Sequence, residues 1–87
     1  MYEIYVKKRA LKNLRKAPPF VQDLFAELVA DLRAAGAIQP AWSNFSKLTA
    51  NKYHCHLNYS YVACWQHENN SIKIEVYYAG SRENAPY

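Results

Sequence analysis

The sequence is short of cysteine, of acidic side chains and of long apolar runs. Its two cysteines, Cys55 and Cys64, are too few for a multi-disulfide framework and match no zinc-finger spacing, so both read as reduced and structural. No apolar run approaches the roughly 20 residues needed to cross a bilayer. The opening residues are polar and aromatic, without the apolar stretch of a secretory signal, and the expected setting is the cytoplasm. Repeats, low-complexity tracts and linkers are absent, and 87 residues leave no room for separate substrate and catalytic domains. One domain over residues 1–87 is expected, with one site on one small core. Seven acidic side chains against eleven basic ones give a net charge of +4, which favours an anionic partner, nucleic acid or acidic protein.

The basic side chains that are present cluster. Lys7, Lys8, Arg9, Lys12, Arg15 and Lys16 face only Glu3 within the first sixteen residues, so the remainder is nearly neutral. Tyr2 to Val6 alternates and is aromatic or β-branched, which predicts a short strand. From Lys8 to Lys16, Ala10, Leu11 and Leu14 recur at helical spacing, placing Lys8, Lys12, Arg15 and Lys16 on the solvent side. Pro18 and Pro19 end that helix and suit the first turn of another. Val21, Leu24, Phe25, Leu28 and Leu32 form its apolar stripe, with Asp23 and Glu27 opposite and Gly36 as its stop.

Ala37 to Thr49 holds Pro40, Trp42 and Phe45 without a sustained period and reads as a connection. Tyr53 to Leu57 alternates, with Tyr53, Cys55 and Leu57 on one face and His54 and His56 on the other. Tyr61 to His67 is rich in β-formers, and Asn69 and Asn70 supply a tight turn. In the last strand, Ser71 to Tyr78, the residues Ile72, Ile74, Val76 and Tyr78 face the core while Lys73, Glu75 and Tyr77 face away. The expected fold is α+β, in the order β-α-α-β-β-β, with a mainly antiparallel sheet and a two-helix hairpin on one face.

Three stretches resemble the RelE-type toxins. Lys8-Arg9-Ala10-Leu11-Lys12-Asn13-Leu14-Arg15-Lys16 is similar to that family's first helix. Lys47-Leu48 followed by Tyr53-His54-Cys55-His56-Leu57 resembles a Lys-Leu pair that precedes Tyr-Lys-x-Lys-Leu. Ala79-Gly80-Ser81-Arg82-Glu83 and then Tyr87 resembles a terminal Gly-Lys-Arg-Glu segment that closes on a tyrosine. The resemblance implies a RelE-like fold and a ribosome-dependent endoribonuclease that cuts messenger RNA, needs no metal or other cofactor, and is held in check by a cognate antitoxin protein in a hetero-oligomer. It also implies that Arg82 is the catalytic arginine and Tyr87 the terminal tyrosine, with His54 and His56 in the places of two functional lysines. The sequence departs again at Val62, where the family usually carries an arginine.

Metal-free RNA cleavage needs a base for the 2'-hydroxyl, an acid for the departing 5'-oxygen and cations for the phosphate. Histidine, with an unperturbed pKa of about 6.5, can serve as either acid or base near neutrality. His54 and His56, two apart on a strand, project from one face, expected to be an open concavity opposite the helices. Arg82 can grip a phosphate with two parallel hydrogen bonds, and Tyr87 can stack on an unstacked base. Lys8, Lys12, Arg15, Lys16, Lys47 and Lys52 are the expected contacts to RNA and the ribosome.

Each of these residues also has a plain reading: exposed positions of an alternating strand for the histidines, a solvated side chain for Arg82, a frayed end for Tyr87. A His-x-His pair invites a metal too, but a third ligand is lacking. Cys55 points the other way, and Cys64 lies across from His54 in only one hairpin register. Two rival functions remain at this level. One is a ParE-type inhibitor that binds DNA gyrase without cutting anything; the other is an inactive homologue acting only in a repressor complex with its antitoxin.

Overall fold

The computed structural model describes residues 1–87. The alternating N-terminal run forms β1 (Glu3–Val6), and the basic segment follows directly as α1 (Lys8–Arg15). Pro18 is the N-cap residue and Pro19 the first residue of α2 (Pro19–Ala35), where a missing N–H costs no helical hydrogen bond. Five elements remain: β2 (Ser46–Lys47), β3 (Lys52–His56), β4 (Tyr61–His67), β5 (Lys73–Ser81) and a closing 3-10 turn, Arg82–Asn84. The sheet runs β1-β5-β4-β3-β2, with β1 parallel to β5 and every other pair antiparallel. It is the expected α+β fold with one strand more, because Ser46 and Lys47, within the segment read as a connection, pair with His54 and Tyr53.

Both helices and one sheet face enclose a single core. Ala10 and Leu14 of α1 meet Val21, Phe25, Leu28 and Leu32 of α2 over Tyr53, Cys55, Ala63, Trp65, Ile74, Val76 and Ala79. Trp65 is fully buried and satisfies its indole N–H by donating to the Ala37 carbonyl at 3.1 Å. Phe45, Tyr53 and Trp65 form a three-ring cluster, with each pair of ring centres 6.0 to 6.4 Å apart. The Trp42 indole donates to Asp31 at 2.9 Å, and the Gln39 amide donates to the carbonyls of Gly36 and Asp31. Those bonds lash the connection to the end of α2, as a segment without its own ladder requires.

Three apolar assignments fall differently from the sequence pattern. Leu11 is 37% exposed and Ile72 is 53% exposed, Ile72 because it precedes the strand. Tyr78 is not a core residue, because the β4–β5 register slips: Trp65 pairs with Val76 and Cys64 with Tyr78, leaving Tyr77 unpaired. This bulge reverses the alternation, so Val76 and then Ala79 face the helices. The expected tight turn is present, with Asn70 at φ 65°. His67 clasps it, its Nε2 donating to the Ser71 carbonyl at 2.7 Å while Tyr2 packs edge-on at 5.6 Å.

Gly36 ends α2 at φ +92°, and a Cβ there would sit 2.9 Å from the Tyr2 ring. Gly36→Ala therefore combines left-handed backbone strain with a clash. It should lower stability by about 1–3 kcal/mol in equilibrium urea denaturation, and an unchanged midpoint would show that the α2 end and β1 adjust freely.

Candidate active site

The site grows from the alternation of β3. Tyr53 and Cys55 enter the core, which turns Lys52, His54 and His56 to the opposite face. Pairing sets their neighbours. His54 lies across from Cys64 and His56 across from Val62 on β4; beyond them on β5 stand Tyr78 and Gly80. The imidazoles of His54 and His56 are 5.7 Å apart at 64°.

This face is not the open concavity the alternation predicts. Val62 and Cys64 are fully buried although they point away from the helices, and His54 is only 7% exposed. The C-terminal segment folds back over them, setting the Tyr87 ring 4.4 Å from the His54 ring at 54°. His56 stays half-buried and reachable.

The histidine rings are held from the β2 side. Ser46 Oγ is 2.9 Å from His54 Nδ1, and the Asn44 amide lies 3.5 Å from His56 Nδ1. With that amide as the donor, a neutral His56 carries its proton on Nε2. Burial lowers the pKa of His54; a hydrogen bond with the Ser46 backbone opposes this, and the neighbouring His56 adds to the lowering. His54 is thus favoured in its neutral form.

Cys64 does occupy the one register in which it could join His54 around a metal. Its thiol, however, is pushed by burial up to about 12, so at neutral pH it is a thiol and not a thiolate ligand. Cys55 behaves alike, also at about 12, and no three His, Cys, Asp or Glu side chains converge anywhere. Burial, with the Cys64 thiol adding to it, pushes the Tyr77 phenol up to about 12. Tyr87 is raised by burial and by Cys64, with the Arg82 charge acting the other way.

Arg82 opens the closing 3-10 turn, two residues past Gly80. Its backbone N–H donates to the Ser60 carbonyl at 2.8 Å, and its guanidinium lies 4.9 Å over the Tyr59 ring in the β3–β4 turn. Its charge acts on Tyr87, and the ring its guanidinium lies over is that of Tyr59 and not an imidazole. Lys52 joins the histidine face, its amine 5.5 Å from the Tyr77 ring centre. Lys47 does not, because it pairs with Tyr53 and its amine lies 5.9 Å over that ring, on the core side. Lys8, Lys12, Arg15 and Lys16 are all exposed along α1.

Sequence reasoning missed Ser46, Asn44, Tyr59 and Tyr77. Ser46 belongs to a strand too short to leave a period, Asn44 precedes that strand, and Tyr59 lies in a turn. Tyr77 is left without a partner by the bulge, which no alternation rule anticipates.

The architecture is that of the RelE and YoeB toxins. The isolated RelE toxin of E. coli matches with a TM-score of 0.74 over 99% of this chain and 89% of that one, at 21% identity. A chain of the archaeal RelE–RelB complex from Pyrococcus horikoshii OT3 gives 0.76, covering 97% and 98%, at 17% identity. The YoeB dimer from Staphylococcus aureus gives 0.72, covering 91% and 94%, at 14%. No protein-family model and no curated protein matches the sequence. At these identities the likeness is one of fold. No helix is long and apolar enough to cross a membrane.

Proposed function

We propose that this chain is the toxin of a toxin–antitoxin pair, an endoribonuclease that cuts messenger RNA on the ribosome. The observation that carries the reading is the imidazole pair: a neutral His54 beside His56, 5.7 Å away, on the outer face of a RelE-like sheet with Lys52 and Tyr87 around it. His54 takes the proton of the 2'-hydroxyl as its oxygen attacks phosphorus. The bond to the 5'-oxygen breaks, His56 protonates that oxygen, and a 2',3'-cyclic phosphate remains. Arg82 and Lys52 supply positive charge for the phosphate oxygens. The two imidazoles perform both proton transfers, so the reaction needs no metal and no cofactor.

Tyr87 covers His54 in the free chain and must move aside for RNA, after which its ring is available to stack on a base. A site this small positions a substrate poorly alone, so the ribosome is the second half of the enzyme. Lys8, Lys12, Arg15 and Lys16 face ribosomal RNA phosphates. The partner is a small antitoxin, in keeping with solved neighbours that are RelE–RelB and YoeB–YefM complexes. It acts by laying an acidic or amphipathic segment over α1 or the histidine face.

Expression in a translation extract with mapping of transcript ends tests this. Codon-spaced cuts that vanish without ribosomes are expected, and comparable cutting of naked RNA would refute ribosome dependence. One observation favours a second reading: Val62, buried at the centre of the face, stands where the resemblance places an arginine. Intact transcripts together with blocked DNA supercoiling would establish a ParE-type gyrase inhibitor instead.

A further inference from the structure

A groove of about 510 Å³ opens beside the histidine face, bounded by Lys7 and Arg9 at the start of α1, Tyr77 and Tyr78 on β5, and Asn84 and Pro86 in the C-terminal segment. Its aromatic wall is a product of the bulge. In a regular strand two consecutive tyrosines point to opposite faces; the unpaired Tyr77 keeps both rings out of the core. Bulges commonly re-aim side chains beside functional sites. The Tyr78 ring is also pinned, since its hydroxyl donates to the Ser81 carbonyl at 2.6 Å, and the Tyr77 ring carries the Lys52 amine 5.5 Å from its centre. A ring pinned in this way loses little freedom when something stacks on it. No acidic side chain lines the groove. Arg9 is exposed without an ion-pair partner, and Lys7 has only a long contact to Glu75, 3.9 Å. The volume falls in the range of small-ligand sites, roughly 300–1,000 Å³.

We propose that this groove is a second nucleotide site, which takes an unstacked base of single-stranded RNA against Tyr77 and Tyr78 and the adjoining phosphate between Lys7 and Arg9. The proposal deepens the RNA-cleaving reading and rests on it. Tyr78 is two strands from His54, on the order of 10 Å, so the groove holds a neighbour of the scissile nucleotide and sets the path of the strand past the histidines.

The test titrates the isolated chain with 2'-O-methyl tetrauridylate, which cannot be cleaved, and follows backbone amides by NMR. Shifts centred on Lys7, Arg9, Tyr77 and Tyr78 are expected. Lys7→Ser/Arg9→Ser should weaken binding about tenfold and make its salt dependence shallower by about 0.7 per lost contact. Arg33→Ser/Lys73→Ser removes the same charge elsewhere and should leave the affinity nearly unchanged. Equal losses in both double variants would reduce the effect to net charge and overturn the proposal. Equal affinity for hexaglutamate at the same amides would overturn it too, assigning the groove to an acidic protein segment. Because this measurement needs neither ribosomes nor cleavage, its failure is separable from a failure of the extract experiment.

Discussion

Single-turnover cleavage on programmed ribosomes should rise with pH, pass through a maximum and fall, and each histidine should own one limb. The rising limb belongs to His54, which must be neutral to accept the 2'-hydroxyl proton. Burial lowers its pKa in the free chain, which favours the neutral form this step needs. The falling limb belongs to the general acid, which must hold a proton to give away, the role that the proposed mechanism gives to His56. His54→Ala or His56→Ala should each cost about 10²- to 10⁴-fold in rate and abolish its own limb. The double variant should lose far less than the product of the single losses, because the pair acts as a unit. His67→Ala, whose ring clasps the β4–β5 turn, is the control for rate. A profile flat from about pH 5.5 to 8 would reduce the pair to structural residues.

The same burial has a consequence for stability with a definite sign. A histidine whose pKa is lowered by folding binds fewer protons folded than unfolded, so stability rises with pH through that window. The contribution of neutral His54 is complete above its unfolded value and is lost as pH falls through the lower folded one. His54→Gln should therefore flatten the acid side of the stability curve relative to the parent chain, as read by thermal unfolding at a series of pH values.

Arg82→Ala should lower the cleavage rate by about 10²-fold or more, the size seen when one transition-state donor is removed, while ribosome affinity hardly moves. Lysine should rescue it poorly, since a compact ammonium neither forks to a phosphate nor lies flat on Tyr59. Tyr59 gives this prediction a structural handle. The guanidinium is parked 4.9 Å over that exposed ring, and removing the ring should slow chemistry less than removing the charge. Rapid-quench assays at saturating ribosome measure both, and an unchanged rate in folded Arg82→Ala would remove the residue from the mechanism.

Much of this fold was legible because its periods are long. The α2 stripe, the proline start, the glycine stop and the alternation of β3 each follow from backbone geometry. His54 and His56 share a face for the same reason. What escaped depended on single residues in register. The bulge at Tyr77 moved Tyr78 out of the core, and Ile72 lost its place because pairing with β1 begins at Lys73. Lys47 and Lys52 look equivalent in sequence, yet the two-residue β2 turns Lys47 to the core side. The closure of the histidine face by Tyr87 was illegible, since no local pattern tells where a tail will lie.

The parallel pairing of β1 with β5 ties Glu3 to Lys73, and β5 sits between β1 and β4 in the sheet. A chain emerging from the ribosome can form its helices early, but β1 has no strand to pair with until β5 has been synthesised, and until then the core lacks Ile74, Val76 and Ala79. Contacts of such sequence separation slow folding and delay it until late in synthesis. Chains that end before β5 lack those core residues and should be open to proteolysis, carrying α1's positive charge with no assembled site. Only a chain translated through β5 is able to assemble the histidine face.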